Sequence, residues 1–370
     1  MSRRVFALSG LAILSVVWSH AAGWGQIAMI YWADRYRPVS VPSFDQVGSL
    51  AYYVLLVIRQ LNVFAVPAFL FVSGFFVAYA ARGNSLGLNW KLVRVRITHL
   101  LIPYFIWSLV IFLGDALQGN TYAPLEYVRR LVVGSADGSY FYVPLLCQFY
   151  LLAPLMVPIA KTRTRLLLCV AGLVQLVTIG VWYLPLLGVT GPALRVILDA
   201  VPGWAFFRWA FFFPLGLVSG FQTTKLQNTL LRFRPLLLAT LIVLGVLAVI
   251  EPEAVYRTSG QEWRFVPLTI STALYSVAVI LCFLGLSRIP DFASSIFYRL
   301  GSRSYGVYLL HQKAMELAAR LLRQAAPAVL AHQVLVIKPL ALAVGLGAPL
   351  LFMLAVAKSP LRRFFRYLFG

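Results

Sequence analysis

The chain has 370 residues, of which 61% are hydrophobic and only 12% are charged, and its mean hydropathy is +0.84. These values lie far outside those of soluble globular domains, so they exclude a soluble protein and predict one that is largely embedded in a membrane. The formal charge of +21 would suit nucleic-acid binding, but the basic clusters stand at the ends of apolar stretches instead of forming one face of a soluble fold. We therefore expect membrane lipids, and not nucleic acid, as partners of the basic residues.

Ten apolar stretches fill most of the sequence, and most are close to the roughly 20 residues that a helix needs to cross a membrane. They predict an all-α integral membrane protein with about ten transmembrane helices. The predicted spans are 5–24, 50–80, 97–117, 140–160, 166–185, 203–221, 236–251, 265–287, 304–323 and 336–357. We expect one domain over residues 1–357, followed by a short basic and aromatic cytoplasmic tail over residues 358–370.

Basic residues collect at every second junction between the spans, which the positive-inside rule assigns to the cytoplasm. That side holds about 19 of the 32 Lys and Arg residues. The acidic residues expected on the other side are Asp34, Asp45, Glu126, Asp137, Glu251, Glu253 and Glu262. Both termini are therefore predicted to be cytoplasmic, in a multi-pass protein of a bacterial plasma (inner) membrane.

The first span contains the most informative polar residue, His20. It lies roughly 15 residues into the helix, or about 22 Å from the cytoplasmic end, and therefore in the outer half of the membrane. A neutral imidazole there can act as a general base on a hydroxyl or carry an acyl group. A single interhelical hydrogen bond is the structural alternative. Residues 19–21 also imitate a signal-peptidase site, but the apolar run is long enough to remain as a span.

Arginines and a lysine mark two further regions of interest. Arg59 in the second span either faces an aqueous or substrate cavity or extends its side chain to the membrane surface. The same two interpretations apply to Arg208. Lys91, Arg94 and Arg96 precede the third span, where they either anchor the helix or bind phosphates.

The ninth span contains two groups of polar residues. Tyr305, Tyr308 and His311 lie broadly along one side of the helix and can bound a chamber, or simply pack. The tyrosine hydroxyls would then be able to support a developing oxyanion. Lys313 and Glu316 form an i, i+3 pair, which we expect to be structural.

Two glycines in the sixth span have a spacing that indicates packing. Gly216 and Gly220 make a GxxxG sequence, which lets two helices approach closely. We expect this motif to serve helix association and not chemistry.

Several stretches, in the same order along the chain, resemble the membrane acyltransferase 3 family. Residues 9–20 (SGLAILSVVWSH) are similar to the opening helix of the family, in which ten residues separate an arginine from a histidine. Residues 66–76 (VPAFLFVSGFF) resemble its second helix. Arg94 and Arg96, followed by LIPY, resemble the basic stretch before the third helix. Two further blocks are similar at 142–154 (YVPLLCQFYLLAP) and 301–311 (GSRSYGVYLLH).

This resemblance implies a membrane O-acyltransferase, most simply an O-acetyltransferase. Such an enzyme would move an acyl group from cytoplasmic acyl-coenzyme A to a carbohydrate or glycan hydroxyl on the outer side. The resemblance implies His20 as the catalytic residue, and acetyl-coenzyme A or another acyl-coenzyme A as co-substrate, with no metal. Its expected acyl-coenzyme A site is Lys91, Arg94 and Arg96, and the expected chamber or substrate contacts are Arg59, Ser73, Tyr305, Tyr308 and His311.

One position departs from the family pattern. Ser9 stands where the family usually has arginine, about 16 Å before His20 along the helix. Serine cannot supply a positive charge, so Arg3 or Arg4 would take that role, or Arg94 and Arg96 would carry it alone. The sequence leaves two mechanisms open, direct transfer of the acyl group to the acceptor and transfer through a covalent acyl-enzyme intermediate. The alternative functions are a transporter or exporter of a lipid-linked sugar or polysaccharide, and a non-catalytic scaffold.

Overall fold

A computed structural model describes residues 2–27, 50–83, 90–259, 268–286, 291–327, 329 and 336–370. Over these ranges the chain consists of helices and the turns between them, which confirms the all-α prediction. The predicted outer-side acids Asp34, Asp45 and Glu262 lie outside the described residues.

The helices follow one another in this order: α1 (Ser2–Ile27), α2 (Leu50–Leu61), α3 (Ala65–Ala80), α4 (Trp90–Leu117), α5 (Pro124–Val133), α6 (Tyr142–Thr162), α7 (Thr164–Tyr183), α8 (Pro192–Ala200), α9 (Phe212–Phe221), α10 (Thr223–Arg232), α11 (Arg234–Ser259), α12 (Ile270–Gly285), α13 (Asp291–Gly301), α14 (Ser304–Ala325), α15 (Lys338–Lys358) and α16 (Phe365–Phe369). Short 3-10 segments occur at Pro185–Leu187, Phe206–Trp209 and Pro360–Phe364.

Seven stretches within the described residues are long and apolar enough to cross a membrane: Arg3–Ala21, Leu56–Ala80, Trp90–Leu117, Tyr142–Thr162, Thr164–Leu187, Arg234–Ser259 and Lys338–Lys358. The predicted number of about ten is therefore not confirmed. The predicted spans at 203–221 and 265–287 become the short apolar helices α9 and α12, of 10 and 16 residues. The predicted span at 304–323 becomes α14, which is long but carries Lys313, Glu316 and Arg320.

The second predicted span is broken inside its apolar run. Helix α2 ends at Leu61 and α3 begins at Ala65. The side-chain amide of Asn62 donates a 2.6 Å hydrogen bond to the Ile58 carbonyl, at the end of α2. Pro67 falls in the first turn of α3, where a missing N–H breaks no helical hydrogen bond. A polar side chain, which a hydropathy average does not resolve, thus accompanies this break.

Helices α3 and α9 pack with their backbones in contact, as the GxxxG sequence predicts. A Cβ atom on Gly216 would lie 2.0 Å from the Phe71 carbonyl oxygen, and one on Gly74 would lie 2.1 Å from the Phe213 carbonyl oxygen. A Cβ on Gly220 would likewise lie 2.8 Å from the Phe75 carbonyl oxygen. Only glycine permits this approach.

Helices α1 and α13 make a second contact of the same kind. A Cβ on Gly10 would stand 1.9 Å from the Phe297 carbonyl oxygen, and one on Gly301 would stand 2.1 Å from the Phe6 carbonyl oxygen. These contacts fix the start of α14 beside α1, because Gly301 ends α13 and Ser304 begins α14.

Basic side chains bind backbone carbonyls at one end of the bundle, which we call the basic end. Arg4 donates to the Leu284 carbonyl at 3.1 Å, Arg82 donates to the Gly220 carbonyl, and Lys161 donates to the Ala81 carbonyl at 3.0 Å. Cations near helix C-termini are favourable, because the last carbonyls of a helix lack partners. Helices α1, α4 and α14 all run away from this end, and α3 and α6 run towards it.

The predicted tail at 358–370 has two kinds of aromatic residue. Phe369 is buried, and the Trp107 indole donates a 2.8 Å hydrogen bond to the Leu368 carbonyl, so the last turn packs against α4. Phe364 and Tyr367 are exposed. Contact of this segment with lipid remains a prediction.

Candidate active site

His20 lies next to α14, on the inner side of α1. The Gln312 side-chain amide donates a hydrogen bond to Nδ1 of His20 at 3.1 Å. The rings of His20 and His311 have their centroids 5.3 Å apart, with their planes inclined at 54°. Neutral imidazole carries one ring proton, so with Nδ1 accepting, the proton of His20 is placed on Nε2.

His311 is completely buried, and its protonation is set by the backbone. Its Nδ1 lies 2.7 Å from the Tyr308 carbonyl oxygen, and because a carbonyl only accepts, Nδ1 must carry the proton. Nε2 of the neutral ring is then an acceptor, and it has no hydrogen-bond partner among the described residues. A buried acceptor without a partner typically costs about 1–3 kcal/mol. Such a cost is often retained at sites of function.

A cavity of about 200 Å³ lies between α1, α3, α6 and α14. It is lined mainly by aromatic and aliphatic side chains, and its polar lining residues are Ser9, Ser73, Tyr142, Tyr150, Ser304, Tyr305 and Tyr308. The cavity runs from Phe6 and Gly301 near the basic end to Tyr308, whose ring centroid is 6.2 Å from that of His311. The predicted chamber residues Ser73, Tyr305 and Tyr308 are therefore brought together.

The tyrosine hydroxyls of this region are already occupied. Tyr305 donates to the Leu100 carbonyl at 2.6 Å, and Tyr308 donates to the Ser139 carbonyl. These bonds tie α14 to α4 and to the loop before α6. In this arrangement the two tyrosines position helices, and their hydroxyl protons are not available to an oxyanion.

The predicted donor cluster divides at the start of α4. Lys91 and Arg94 are exposed, whereas Arg96 is partly buried and stands beside the Tyr150 hydroxyl on the cavity wall. Ser9 lines the same cavity, and its hydroxyl donates back to the Val5 carbonyl at 3.4 Å. Because the Arg4 guanidinium points to the end of α12, Arg96 is the cation best placed to replace the missing family arginine.

A second opening, of about 320 Å³, lies where α4 and α14 approach their C-terminal ends. Its polar lining residues, which we call the charged cleft, are Asp115, Gln118, Lys313, Glu316 and Arg320. Glu316 accepts from Lys313 at 2.7 Å and from Arg320 at 2.6 Å. The predicted i, i+3 pair is confirmed, but it belongs to a network that lines a cleft. Glu316 follows Gln312 by one helical turn, about 6 Å along the axis.

The loop between α5 and α6 packs against the middle of α14. Asp137 is buried and accepts hydrogen bonds from the backbone N–H of Ser139 at 3.2 Å and from its hydroxyl at 3.1 Å. Burial raises the pKa of the Asp137 carboxyl above its usual range. Tyr140 donates to the Leu309 carbonyl at 2.7 Å, and Gly138 lies against Gln312. The loop thus holds the middle of α14 in place.

The two other intramembrane arginines have different surroundings. Arg59 is partly buried and lies close enough to His20 for its charge to act on the imidazole. It is not among the residues that line the cavity. Arg208 is 2% exposed, and its guanidinium lies 4.0 Å from the centre of the Trp182 ring. It does not snorkel to a surface.

Gln312 is the residue that sequence reasoning missed. It follows His311 directly, and as an uncharged amide it gives no signal in a search for charged or titratable groups. Its contact with His20 follows only from the spacing of α14 relative to α1, and that spacing depends on the contacts of Gly10 and Gly301.

Comparison with known proteins adds a family and several distant relatives. The family model described as an acyltransferase domain matches residues 7–358. Proteins from Staphylococcus aureus strains MRSA252 and MSSA476 are each 20% identical over 257 residues, which is 69% of this chain and 69% of the relative. Both are named "Probable poly-beta-1,6-N-acetyl-D-glucosamine export protein". No solved structure matches the chain.

Proposed function

The chain belongs to the membrane acyltransferase 3 family, and on this basis we propose that it is a membrane O-acyltransferase, most simply an O-acetyltransferase. It takes an acyl group from cytoplasmic acyl-coenzyme A and delivers it to a carbohydrate hydroxyl on the outer side of a bacterial plasma membrane. The observation that best supports this proposal is the position of His20 and His311, between a cavity near the basic end and the charged cleft near the other end.

Acyl-coenzyme A enters from the basic end. Lys91 and Arg94 are exposed there. They bind the coenzyme A phosphates, because exposed Lys and Arg side chains can form charge-assisted hydrogen bonds with phosphate oxygens. Arg96 stands beside the Tyr150 hydroxyl, which lines the cavity, and holds the donor where its pantetheine arm enters between α1, α3 and α6. The thioester then reaches the two histidines past Tyr308.

Removal of the Arg96 guanidinium should weaken donor binding specifically. A hydrogen bond to a charged group is worth about 1.5–3 kcal/mol, so Arg96→Ala is expected to raise the KM for acetyl-coenzyme A about 10- to 100-fold. The matched control is Arg165→Ala, since Arg165 is an exposed arginine on α7, away from the cavity lining. Steady-state kinetics in membrane vesicles would measure both variants. Equal KM values for the two variants would contradict the assignment of Arg96.

The charged cleft is the acceptor side of the proposed reaction. Sugar hydroxyls both donate and accept hydrogen bonds, and the cleft presents carboxylates beside ammonium and guanidinium groups. Glu316 is one turn from Gln312, which contacts His20, so a sugar in the cleft would present a hydroxyl near the histidines.

Asp115 offers the clearest test of this acceptor side. Its carboxylate lines the cleft and accepts a long hydrogen bond, of 3.5 Å, from the Tyr122 hydroxyl. Asp115→Asn is expected to raise the acceptor KM about tenfold and to leave the KM for acetyl-coenzyme A unchanged. Glu126→Gln is the control, because Glu126 pairs with Arg129 and Arg130 on α5 instead of lining the cleft. A rise in the donor KM alone would place Asp115 elsewhere in the reaction.

The experiment that tests the function itself uses inside-out membrane vesicles and acetyl-coenzyme A labelled in the acetyl group. We expect label in the glycan fraction, released by mild alkali as expected for an O-ester, and no label in vesicles without the protein. Absence of labelled glycan, with donor and acceptor both accessible, would contradict the proposal.

Export of a polysaccharide is the second candidate function, and the name of the staphylococcal relatives favours it. An exporter would transport glycan across the vesicle membrane without acetyl-coenzyme A, and His20→Ala would leave that transport unchanged. Transport that requires no donor would therefore replace the acyltransferase proposal.

A further inference from the structure

His311 holds a hydrogen-bond acceptor at the centre of the bundle that the proposed reaction leaves without a role. Its Nδ1–H is bound to the Tyr308 carbonyl at 2.7 Å, so Nε2 carries the lone pair. The side chain is completely buried, and Nε2 has no partner among the described residues. An acceptor in this state can take a proton from a hydroxyl that is brought to it.

His20 has the complementary arrangement. Its Nδ1 accepts from Gln312 at 3.1 Å, which places its proton on Nε2. The two ring centroids are 5.3 Å apart, and no direct hydrogen bond joins the rings within the described residues. His311 therefore offers a lone pair and His20 offers an N–H. The separation of the two rings would let one reacting group contact both.

We propose that His311 is the general base of the acyl transfer and that His20 is the hydrogen-bond donor to the thioester oxygen; this inference rests on the proposed function. The acceptor hydroxyl oxygen forms a bond to the thioester carbonyl carbon while its proton moves to Nε2 of His311. The electron pair of the carbonyl double bond moves onto the oxygen, and this oxygen accepts a hydrogen bond from the Nε2–H group of His20. When the tetrahedral species collapses, the carbon–sulfur bond breaks, and the coenzyme A sulfur leaves with the electron pair and takes the proton from His311.

A purely structural histidine would explain the Tyr308 hydrogen bond equally well, so the test must separate the two nitrogens. His311→Asn retains an amide N–H close to the Nδ1 position, which can still bind the Tyr308 carbonyl, and removes Nε2. It therefore preserves the backbone contact while it deletes the proposed base.

The experiment measures transfer of labelled acetyl from acetyl-coenzyme A to two acceptors, the endogenous glycan and hydroxylamine. A hydroxyl needs a base to take its proton, whereas the neutral nitrogen of hydroxylamine attacks without first losing one. For His311→Asn we expect kcat on glycan to fall about 100-fold, within the range of general-base effects, with an unchanged KM for acetyl-coenzyme A. Transfer to hydroxylamine should remain near that of the unsubstituted protein.

The other outcomes overturn either the assignment of His311 as the base or the proposed function itself. Glycan transfer by His311→Asn equal to that of the unsubstituted protein would refute His311 as the base and leave the acyltransferase proposal standing. Loss of both activities would show that His311 is structural, and would equally refute the base. An unsubstituted protein that acylates neither acceptor would refute the proposed function itself.

Discussion

Replacement of His20 by alanine is expected to lower acyl transfer roughly a thousand-fold, because the change removes a group that acts on the reacting atoms. It also leaves the Gln312 amide without its imidazole partner. The rate of label transfer from acetyl-coenzyme A to glycan, at matched protein levels in the membrane, would measure the effect. Ser19→Ala is the control, since Ser19 is the adjacent, partly buried residue on the same helix.

Two further substitutions distinguish the roles open to His20. His20→Gln retains an N–H close to the Nε2 position and is expected to keep part of the activity if His20 is a hydrogen-bond donor. His20→Asn has no group at that position and should resemble alanine. If glutamine and asparagine are equally inactive and an acetylated protein accumulates before glycan is added, His20 carries the acyl group.

Gly216→Leu is expected to destabilise the fold by about 3 kcal/mol or more, because overpacking of this kind forces backbone movement. The added Cβ alone would stand 2.0 Å from the Phe71 carbonyl oxygen, so α3 and α9 would have to separate. The midpoint of thermal unfolding in detergent would measure the loss.

Gly180→Leu is the matched control for that substitution. Gly180 lies on the exposed side of α7, and a Cβ atom added there would have no heavy atom of the described residues within 4 Å. We expect little change in its unfolding midpoint. If the two leucine variants unfold at the same temperature, the α3–α9 contact does not determine stability.

The sequence predicted those parts of the fold that follow from hydropathy and charge. Apolar length indicates helices, and the basic clusters do collect at one end of the bundle, as Arg4, Arg82 and Lys161 illustrate. It could not predict the break at Asn62 or the short length of α9. Those features depend on local hydrogen bonds and on neighbouring helices that cover a short segment. An average of hydropathy along the sequence carries no information on either.

The candidate site could be predicted in part as a set of residues, but not as a chemical arrangement. Sequence placed Ser73, Tyr305 and Tyr308 at a chamber, and the cavity contains all three. The ring nitrogen that carries each histidine proton depends on the Tyr308 carbonyl and on Gln312, which only the packing of α14 against α1 brings into reach. A sequence motif identifies a histidine, but the hydrogen-bond partners of that histidine determine which of its ring nitrogens carries the proton.

The hydrogen bonds of the buried tyrosines have a consequence for ion leakage. A proton wire needs groups that each receive one proton and release another. Tyr305, Tyr308 and the Nδ1–H of His311 all donate to backbone carbonyls, which accept a hydrogen bond but have no proton to release. Relay along these groups therefore ends at the peptide backbone. In the proposed reaction, an acyl group would therefore pass between two compartments without a proton relay along these three groups.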